Sequence, residues 1–514
     1  MLSKVYSATM QGLQAIPVTI EVNSTESTDG RFIIVGLPDN AVKESQERVL
    51  SALNVNGYTV PLRKTVVNLA PADLRKEGSG FDLPMAIGLM MALDKLDIVR
   101  PEQYMFLGEL SLDGTILPVK GALPISIMAR KMGYKALFVP EENAREAAVV
   151  DRLEIYGVHH INDVVNILNG VSDTHPTIVN TREEFYAEQL NFEYDFAEVK
   201  GQENVKRAFE VAAAGGHNII LVGSPGCGKS MMAKRLPSIL PPLSLSESLE
   251  TTQIHSVAGK LTRNTSLISQ RPFRSPHHTI SDVALVGGGT TFMPGEICLA
   301  HNGVLFLDEL PEFSRTVLET LRQPLEDRVI TVSRAKYTFT LPCSFMLVAS
   351  MNPCPCGYHH HPTHACVCTP AQITRYMNKI SGPLMDRIDI QVEVENVPFE
   401  DISKAPAGEP SASIRERVIR ARKIQEERFK GHKGIHCNAQ MTTSLLQKYA
   451  VLDDTSMERL RTAMRQLNLS ARAYDRILKV SRTIADLEGS EQIQSYHVAE
   501  AIGYRNLDRD NWFE

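Results

Sequence analysis

The chain has 514 residues, of which 43% are hydrophobic and 22% charged, values typical of a soluble globular protein with about three domains. No apolar run reaches the roughly 18 residues needed to cross a bilayer, and the first residues lack the pattern of an export signal, so we expect a cytoplasmic protein with no membrane partner. The net charge of −6 gives no whole-molecule attraction to nucleic acid, so any site for a polyanion must be local.

The first predicted domain, residues 1–171, has the pattern of an α/β fold. Strand-like apolar runs cover residues 18–22, 32–35, 66–69 and 136–139, and helical spacing covers residues 40–53 and 82–93. A polar stretch with little periodicity follows, and it predicts a linker over residues 172–195.

The second predicted domain, residues 196–398, opens with a buried strand that leads into a glycine-rich turn and a helix. The turn matches the phosphate-binding pattern GxxxxGK[ST] and consists of Gly223, Ser224, Pro225, Gly226, Cys227, Gly228, Lys229 and Ser230. In this pattern backbone N–H groups converge on phosphates, Lys229 supplies a positive charge, and the Ser230 hydroxyl is a ligand for Mg²⁺. The alternative is a chance glycine-rich turn.

A second apolar run, Val304–Leu307, ends in two carboxylates. Asp308 is predicted to orient the Mg²⁺ shell, and Glu309 is predicted to polarise the attacking water. A surface turn after a core strand would give the same short pattern, but the phosphate loop already requires such an acidic pair. The two motifs together therefore predict hydrolysis of ATP.

Four of the eight cysteines fall in one short stretch, which forms a loop like a zinc knuckle over residues 354–368. The four are Cys354, Cys356, Cys366 and Cys368. Two C-x-C pairs can supply four thiolates to one tetrahedral Zn²⁺, although C-x-x-C is the commoner spacing. Substitution by the histidines of the loop, at 359, 360, 361 and 364, and free cysteines are the alternatives.

The third predicted domain, residues 399–514, follows a stretch rich in Pro, Ala and Gly. Its pattern is mostly helical, with predicted helices over residues 414–429, 456–467, 471–487 and 497–502.

Several further stretches make the chain recognisable. They are Arg271–His278, Gly303–Phe313, Ser381–Asp389, Asn68–Leu74 and Leu469–Arg476. With the two nucleotide motifs, they are similar to the YifB/ComM family of magnesium-chelatase-like AAA+ ATPases over nearly the whole chain. The resemblance implies a Lon-protease-like N-terminal α/β domain, an AAA+ P-loop ATPase domain and a C-terminal helical lid.

The resemblance also implies roles for three more residues. Asn352 stands in the place of sensor 1, which orients the hydrolytic water, and Arg387 stands in the place of an arginine finger. Arg472 resembles the sensor 2 arginine. The related AAA+ proteins work as hexameric rings with ATP between neighbours, and a finger of this kind is worth roughly 10³-fold or more in rate.

Members characterised as ComM are hexameric helicases that drive branch migration during natural transformation, so the resemblance implies a DNA motor acting on single-stranded or branched DNA. One alternative is a chelatase-type ATPase that remodels a protein partner without DNA. Another is an ATP-dependent Lon-like protease, which needs a Ser–Lys dyad. Alignment puts Phe81 and Pro124 near the dyad positions, with Ser79 and Lys120 close by, so we expect an inactive protease domain.

Two stretches are predicted to contact DNA because related helicases carry pore-facing elements there. Arg271 and Arg274 lie in a carboxylate-free segment, residues 251–281, and Arg334 and Lys336 lie near the tip of a predicted hairpin. A third candidate for contact with DNA is residues 414–434, which contain eight cations and three acids. The alternative is that these cations form an ordinary solvated helix face.

Overall fold

The computed structural model describes residues 2–27, 30–289, 292–333, 338–359, 361, 363–396, 408–467 and 469–505. Within these residues, the strands are β1 (Leu2–Gln11), β2 (Gln14–Glu26), β3 (Phe32–Val35), β4 (Arg63–Ala70), β5 (Tyr104–Phe106), β6 (Glu109–Leu110), β7 (Ile116–Leu117), β8 (Ala136–Pro140), β9 (Glu154–Val158), β10 (Ile219–Val222), β11 (Phe273–Arg274), β12 (Gly287–Gly288), β13 (Met293–Pro294), β14 (Val304–Leu307), β15 (Val329–Ser333), β16 (Thr338–Pro342), β17 (Met346–Met351) and β18 (Ile390–Glu393).

The α-helices of the described residues are α1 (Asn40–Val55), α2 (Asp82–Ala92), α3 (Ala122–Met132), α4 (Ala144–Ala147), α5 (Ile161–Leu168), α6 (Thr181–Glu188), α7 (Glu203–Gly215), α8 (Lys229–Arg235), α9 (Leu245–Val257), α10 (Asp282–Val286), α11 (Glu296–Leu299), α12 (Arg315–Thr320), α13 (Arg322–Asp327), α14 (Pro370–Met377), α15 (Gly382–Met385), α16 (Ser411–Arg428), α17 (Thr443–Tyr449), α18 (Asp454–Gln466), α19 (Ala471–Glu488) and α20 (Ser495–Gly503). None of these helices is both long and apolar enough to cross a membrane.

The chain forms two compact units that interleave in sequence. The first consists of Met1–Ala187, Leu245–Ser269 and Gly289–Pro294, and the second consists of Glu188–Ser244, Gln270–Gly288 and Gly295–Glu514. Residues 245–269 thus pack in the first unit, although the sequence between the two nucleotide motifs predicts one continuous pore-facing segment. The predicted domain limits divide the chain by motif rather than by contacts, and they stay a prediction.

A mixed seven-stranded sheet is the centre of the first unit, in the order β3-β4-β2-β1-β5-β8-β9. Strands β1, β2 and β4 pair antiparallel, whereas β5, β8 and β9 continue the sheet in parallel. Helix α2 is apolar on all sides and buried along nearly its whole length against β1 and β2. Its Gly88 is needed there, because a Cβ would stand 2.8 Å from the Val22 side chain. The predicted α/β fold is confirmed.

A five-stranded parallel sheet forms the centre of the second unit, in the order β11-β14-β17-β10-β18. Strands β10, β14 and β17 are fully buried, which explains their continuous apolar runs. Because parallel strands place their carboxyl ends at one edge, the residues that follow β10, β14 and β17 lie close together. Helix α7 and the C-terminal helices α16 and α19 share one hydrophobic core with this sheet.

The C-terminal helices agree with the predicted ones to within a few residues. Helix α19 begins at a Ser470 cap, whose hydroxyl accepts from the Ala473 N–H, and ends at Gly489, whose φ of 72° is in the left-handed region. The linker predicted over residues 172–195 contains one helix, α6, and its limits stay a prediction. That helix carries one buried aromatic, Phe185, so its apolar pattern is too sparse to be read from the sequence.

Candidate functional site

The phosphate loop lies where the sequence places it, between β10 and the first turn of α8. Gly226 and Gly228 have φ angles of +83° and +90°, a region that glycine adopts without strain. Gly223 is required for a different reason, because a Cβ there would stand 2.4 Å from the Val394 carbonyl oxygen. The tight turn thus depends on glycine at three positions.

Lys229 is the first residue of α8, and its side chain folds back over the loop. Its Nζ donates to the carbonyl oxygens of Gly223, at 2.6 Å, and Ser224, at 2.9 Å. It also lies 3.2 Å from Oδ1 of Asn352, the predicted sensor 1 residue at the end of β17. The lysine is only 8% exposed, so the ammonium is fixed over the loop where phosphate groups would be held.

The first carboxylate after β14 faces the loop. Asp308 Oδ2 accepts a hydrogen bond from the Ser230 hydroxyl at 2.6 Å. Its other oxygen accepts from the hydroxyl of Ser350, which the sequence did not single out. A hydroxyl and a carboxylate held together at the end of the loop are oxygen ligands of the kind that Mg²⁺ prefers. The residues present therefore fit a nucleotide with its Mg²⁺.

Glu309 has a left-handed backbone conformation, with φ of 53°. The carboxylate is 56% exposed, and its Oε2 lies 3.5 Å from Nδ1 of His278. It is therefore free to reach water, as a general base must. His278 belongs to the conspicuous stretch Arg271–His278, but no spacing in the sequence indicates that it meets Glu309.

The two predicted arginines lie together, on segments other than the phosphate loop. Arg387 donates to the Pro383 carbonyl at 2.7 Å and forms an ion pair with Glu326. Arg472 forms an ion pair of 3.1 Å with Asp386 and is 65% exposed. In the described chain, neither arginine has a hydrogen bond or ion pair with a residue of the phosphate loop.

The pKa of Glu326 is affected by both predicted arginines. A hydrogen bond from Arg387 and its charge lower the pKa of Glu326, and the charges of Arg472 and Arg476 lower it further. The charges of three guanidinium groups thus act on this one carboxylate. Because Arg472 also pairs with Asp386, the residue before Arg387, the structure brings the two predicted arginines close together.

The four cysteines of the loop converge. Their sulfur atoms all lie within 4.8 Å of one another, and the separations from Cys354 to Cys356 and Cys366 are 3.3 and 3.7 Å. With Zn–S bonds of about 2.3 Å, a tetrahedral ion needs sulfur atoms roughly 3.8 Å apart. The cluster can therefore hold a metal ion. No described histidine joins it, and His360 lies outside the described residues.

The environment of Cys356 favours a thiolate. Burial raises its pKa, but backbone N–H groups of Tyr358 and Val367 and the neighbouring thiols outweigh burial and lower the pKa to about 6. A metal ion binds the thiolate and not the thiol, so this environment suits a ligand.

Comparison with known proteins agrees with this geometry. Residues 195–402 match the family described as magnesium chelatase, subunit ChlI, and residues 408–505 match its C-terminal domain. Residues 20–143 match the family described as subunit ChlI of Mg-chelatase. The competence protein ComM of Haemophilus influenzae is 45% identical over 99% of this chain and 98% of its own. The chain belongs to the ComM/YifB family of magnesium-chelatase-like AAA+ ATPases.

Other family members are similarly close to the chain. The uncharacterized protein YifB of Salmonella typhimurium is 42% identical over 99% of this chain and 98% of its own. The N-terminal domain has a weaker relative, the Lon protease of Mycoplasma mobile, at 21% identity over 32% of this chain and 21% of that protein. The family and the Lon-like character of the first domain are thereby confirmed.

This ComM/YifB family member does not form a Ser–Lys dyad at the candidate residues. Ser79 and Lys120 line one cavity of about 340 Å³ in the first unit. The Ser79 hydroxyl donates to Glu109, however, and the ammonium of Lys120 lies 3.7 Å from the Met293 sulfur. In the described residues of the cavity, no lysine is bonded to a serine.

The predicted DNA-contacting residues of this family member are engaged with their own chain or lie outside the described part. Arg271 donates to the carbonyl oxygens of Pro241 and Asn302, and Arg274 forms a two-point ion pair with Glu296. The predicted hairpin is confirmed as β15 and β16. Arg334 and Lys336, which come between these strands in the sequence, lie outside the described residues.

The basic helix α16 also uses most of its arginines internally. Arg417 pairs with two carboxylates, Arg428 pairs with Asp486, and Arg415 and Arg422 donate to backbone carbonyls. These bonds favour the alternative interpretation of this stretch, an ordinary helix surface. Its exposed cations are Arg420, Lys423, Lys430 and Lys433.

Proposed function

We propose that this protein is an ATP-driven DNA motor that works as a ring of six copies, with ATP between neighbours. The observation that carries the proposal is the separation of two arginines from the phosphate loop of their own chain. Arg387 pairs with Glu326 and Arg472 pairs with Asp386, and in the described chain neither arginine bonds to the phosphate loop. Lys229, Asp308 and Asn352 form the loop side of the site. A second copy would complete the site.

In the proposed hydrolysis of ATP, one copy supplies the phosphate loop and its neighbour supplies the two arginines. Lys229 would bind the terminal phosphates, and Ser230 with Asp308 would hold the Mg²⁺. Glu309 would accept a proton from the attacking water while Asn352 orients that water. Arg387 and Arg472 of the neighbour would bind the charge that develops on the transferred phosphoryl group. Bound Mg²⁺ neutralises the phosphates and polarises them.

We propose DNA as the substrate because the relative that is 45% identical is named a competence protein, and competence concerns uptake of DNA. Our specific proposal is branch migration of recombination intermediates in the cytoplasm. Arg334 and Lys336, which come between β15 and β16 in the sequence, stay the predicted contacts. Bonds within the chain already occupy Arg271 and Arg274, so contact with DNA there would require those bonds to break.

The test is the rate of ATP hydrolysis with and without single-stranded and forked DNA, followed by a branch-migration assay. We expect stimulation that falls steeply as salt is raised, because contacts with the phosphate backbone release counterions. Unchanged turnover at low salt would contradict the DNA motor. It would favour the second candidate, a chelatase-type ATPase that remodels a protein.

The second candidate has its own observation. The bonds of Arg271 and Arg274 leave fewer free cations between the two nucleotide motifs than the sequence suggests. The Lon-like protease is less well supported, because Ser79 bonds to Glu109. We expect no degradation of casein and no effect of Ser79→Ala. ATP-dependent proteolysis abolished by this substitution would restore that candidate.

We propose further that Cys354, Cys356, Cys366 and Cys368 hold a structural Zn²⁺. The sulfur separations support this proposal, since they match those of a closed tetrahedral site. All four ligands come from the protein, so the ion would stabilise the loop that joins Asn352 to the segment bearing Arg387.

A further inference from the structure

A buried cluster of charged side chains lies beside the two arginines of the proposed trans site. Asp389 immediately precedes β18, and His217 lies two residues before β10. Arg476, Lys479 and Thr483 follow one another along α19. The side chains of Asp389 and His217 are 1% and 0% exposed, so this cluster is part of the interior.

The contacts within the cluster join three separate segments. Asp389 Oδ2 lies 3.1 Å from His217 Nδ1, and Asp389 Oδ1 lies 3.0 Å from Arg476 Nη1. The other ring nitrogen of His217 lies 2.8 Å from the Thr483 hydroxyl. Asp389 thus contacts His217, just before β10, with one oxygen and Arg476, on α19, with the other.

Burial and neighbouring charges shift the pKa values of three groups in the cluster. Burial raises the pKa of Asp389, but Arg476 and His217 outweigh burial and lower that pKa well below its usual value. Burial lowers the pKa of His217, which leaves the imidazole neutral at pH 7. Burial also lowers the pKa of Lys479, to about 8, with Arg476 adding to the effect. Asp389 is therefore the anion between two cations.

The position of this anion connects it to the trans site. Asp389 follows Arg387 by two residues, and Arg476 follows Arg472 by one helical turn. Two ion pairs therefore join the same two segments, one through Asp386 and Arg472 and one through Asp389 and Arg476. The first is largely exposed, so it contributes little to holding the segments together. In the second pair Asp389 is 1% exposed and Arg476 is 25% exposed, so water and salt screen this pair less.

We propose that Asp389 and Arg476 form a positioning pair that sets Arg387 and Arg472 in one geometry toward the nucleotide of a second copy of this chain. The inference rests on the proposed function, in which those two arginines act on a neighbour. Neither member of the pair touches the nucleotide in this proposal. Its loss displaces the arginines while the phosphate loop of the same chain stays intact.

The experiment uses mixed assemblies of full-length chains. Arg476→Ala should bind a nucleotide analogue like the wild type but lose about tenfold or more in kcat, since the arginines no longer meet the phosphoryl group. Mixed with Lys229→Ala, which keeps the arginines but lacks a working loop, it should give a rate above that of either variant alone. The Lys229→Ala copies supply ordered arginines to Arg476→Ala neighbours.

Three further variants keep the test independent of folding defects. Arg476→Lys keeps the charge without the guanidinium fork, and we expect it to restore part of the lost kcat. Asp389→Asn, of nearly the same shape, should lower kcat with little effect on KM. Arg461→Ala removes an exposed cation that pairs with Glu458 on α18, and it should leave kcat unchanged.

The outcomes separate this inference from the proposed function. Wild-type kcat in Arg476→Ala and Asp389→Asn would overturn it. So would a loss of kcat that mixing with Lys229→Ala does not relieve, provided that Arg387→Ala is relieved by the same mixing. If Arg387→Ala also gains nothing from mixing, the trans site itself fails, and with it the proposed function.

Discussion

Asp308 accepts hydrogen bonds from two hydroxyls, and only one of them belongs to a recognisable motif. Ser230 is part of the phosphate loop, whereas Ser350 lies at the end of β17 and reaches Asp308 because β14 and β17 are neighbours. Glu309, one residue later, is 56% exposed, and its Oε2 lies 3.5 Å from Nδ1 of His278. We therefore predict different roles for these adjacent carboxylates, with Asp308 holding the metal shell and Glu309 facing water.

That difference predicts separate effects at the residue scale. Glu309→Gln removes the base but keeps the shape, so kcat should fall by about 10² to 10⁴-fold while nucleotide binding persists. Lys229→Ala should lose nucleotide binding as well as turnover. Steady-state hydrolysis and analogue binding separate the two effects. The control is Glu312→Gln, an exposed carboxylate close in sequence that pairs with Lys379. Substantial turnover in Glu309→Gln would contradict the assignment.

At the scale of elements, helix α19 carries a half-buried lysine, Lys479, among charged neighbours. Burial lowers the pKa of Lys479 from 10.5 to about 8. Charged groups that act on it are Arg476, Asp389, Arg328 and Asp475. Its Nζ donates to the Ala439 carbonyl at 3.0 Å, which offsets part of the cost of burial.

The sign of the pH dependence follows from this lowered pKa. Between pH 8 and 10.5 the unfolded chain holds the lysine proton and the folded chain does not. Lys479 should therefore contribute a rise in the free energy of unfolding with pH across this window, of up to about 3 kcal/mol. Lys479→Met should lack this rise and be more stable than the wild type at pH 7. Denaturant unfolding at several pH values measures it, with the exposed Lys423→Met as control. Parallel pH profiles for Lys479→Met and the wild type would contradict the prediction.

The cysteine loop is the second element with a testable property. We expect about one equivalent of Zn²⁺ per purified chain, because four thiolates that close can fill a tetrahedral shell. Cys356→Ser and Cys366→Ser should each reduce the metal content, as elemental analysis would show. Cys298→Ala, a buried cysteine outside the cluster, should not. Less than about half an equivalent in the wild type would count against the site.

At the scale of the whole molecule, the proposed ring requires a neighbouring copy to complete each ATP site. We expect six-copy assemblies in the presence of Mg²⁺ and a slowly hydrolysed ATP analogue, measured by light scattering. Lys229→Ala should assemble less readily, because bound nucleotide joins the copies. Arg387→Ala should assemble but hydrolyse slowly, by about 10³-fold or more. A wild type that stays monomeric at all nucleotide concentrations would contradict the ring.

The sequence by itself determined the local features of this protein. The phosphate loop with β10, the acidic pair after β14, the hairpin and the C-terminal helices all follow from short-range patterns of glycine, charge and apolar spacing. Such patterns involve residues that are close in sequence, so they can be recognised without knowledge of the tertiary packing. The cysteine cluster could also be predicted from the sequence, because its four cysteines fall in one short stretch, residues 354–368.

The tertiary structure decided which distant residues meet. Ser350 reaches Asp308, His278 reaches Glu309, and Arg476 reaches Asp389 only because separate segments pack against one another. Packing also directs the side chains of Arg271 and Arg274 to partners in their own chain. It places residues 245–269 in the first unit although they lie between the two nucleotide motifs. Burial and ion pairing depend on distance in space, which spacing along a single sequence does not encode.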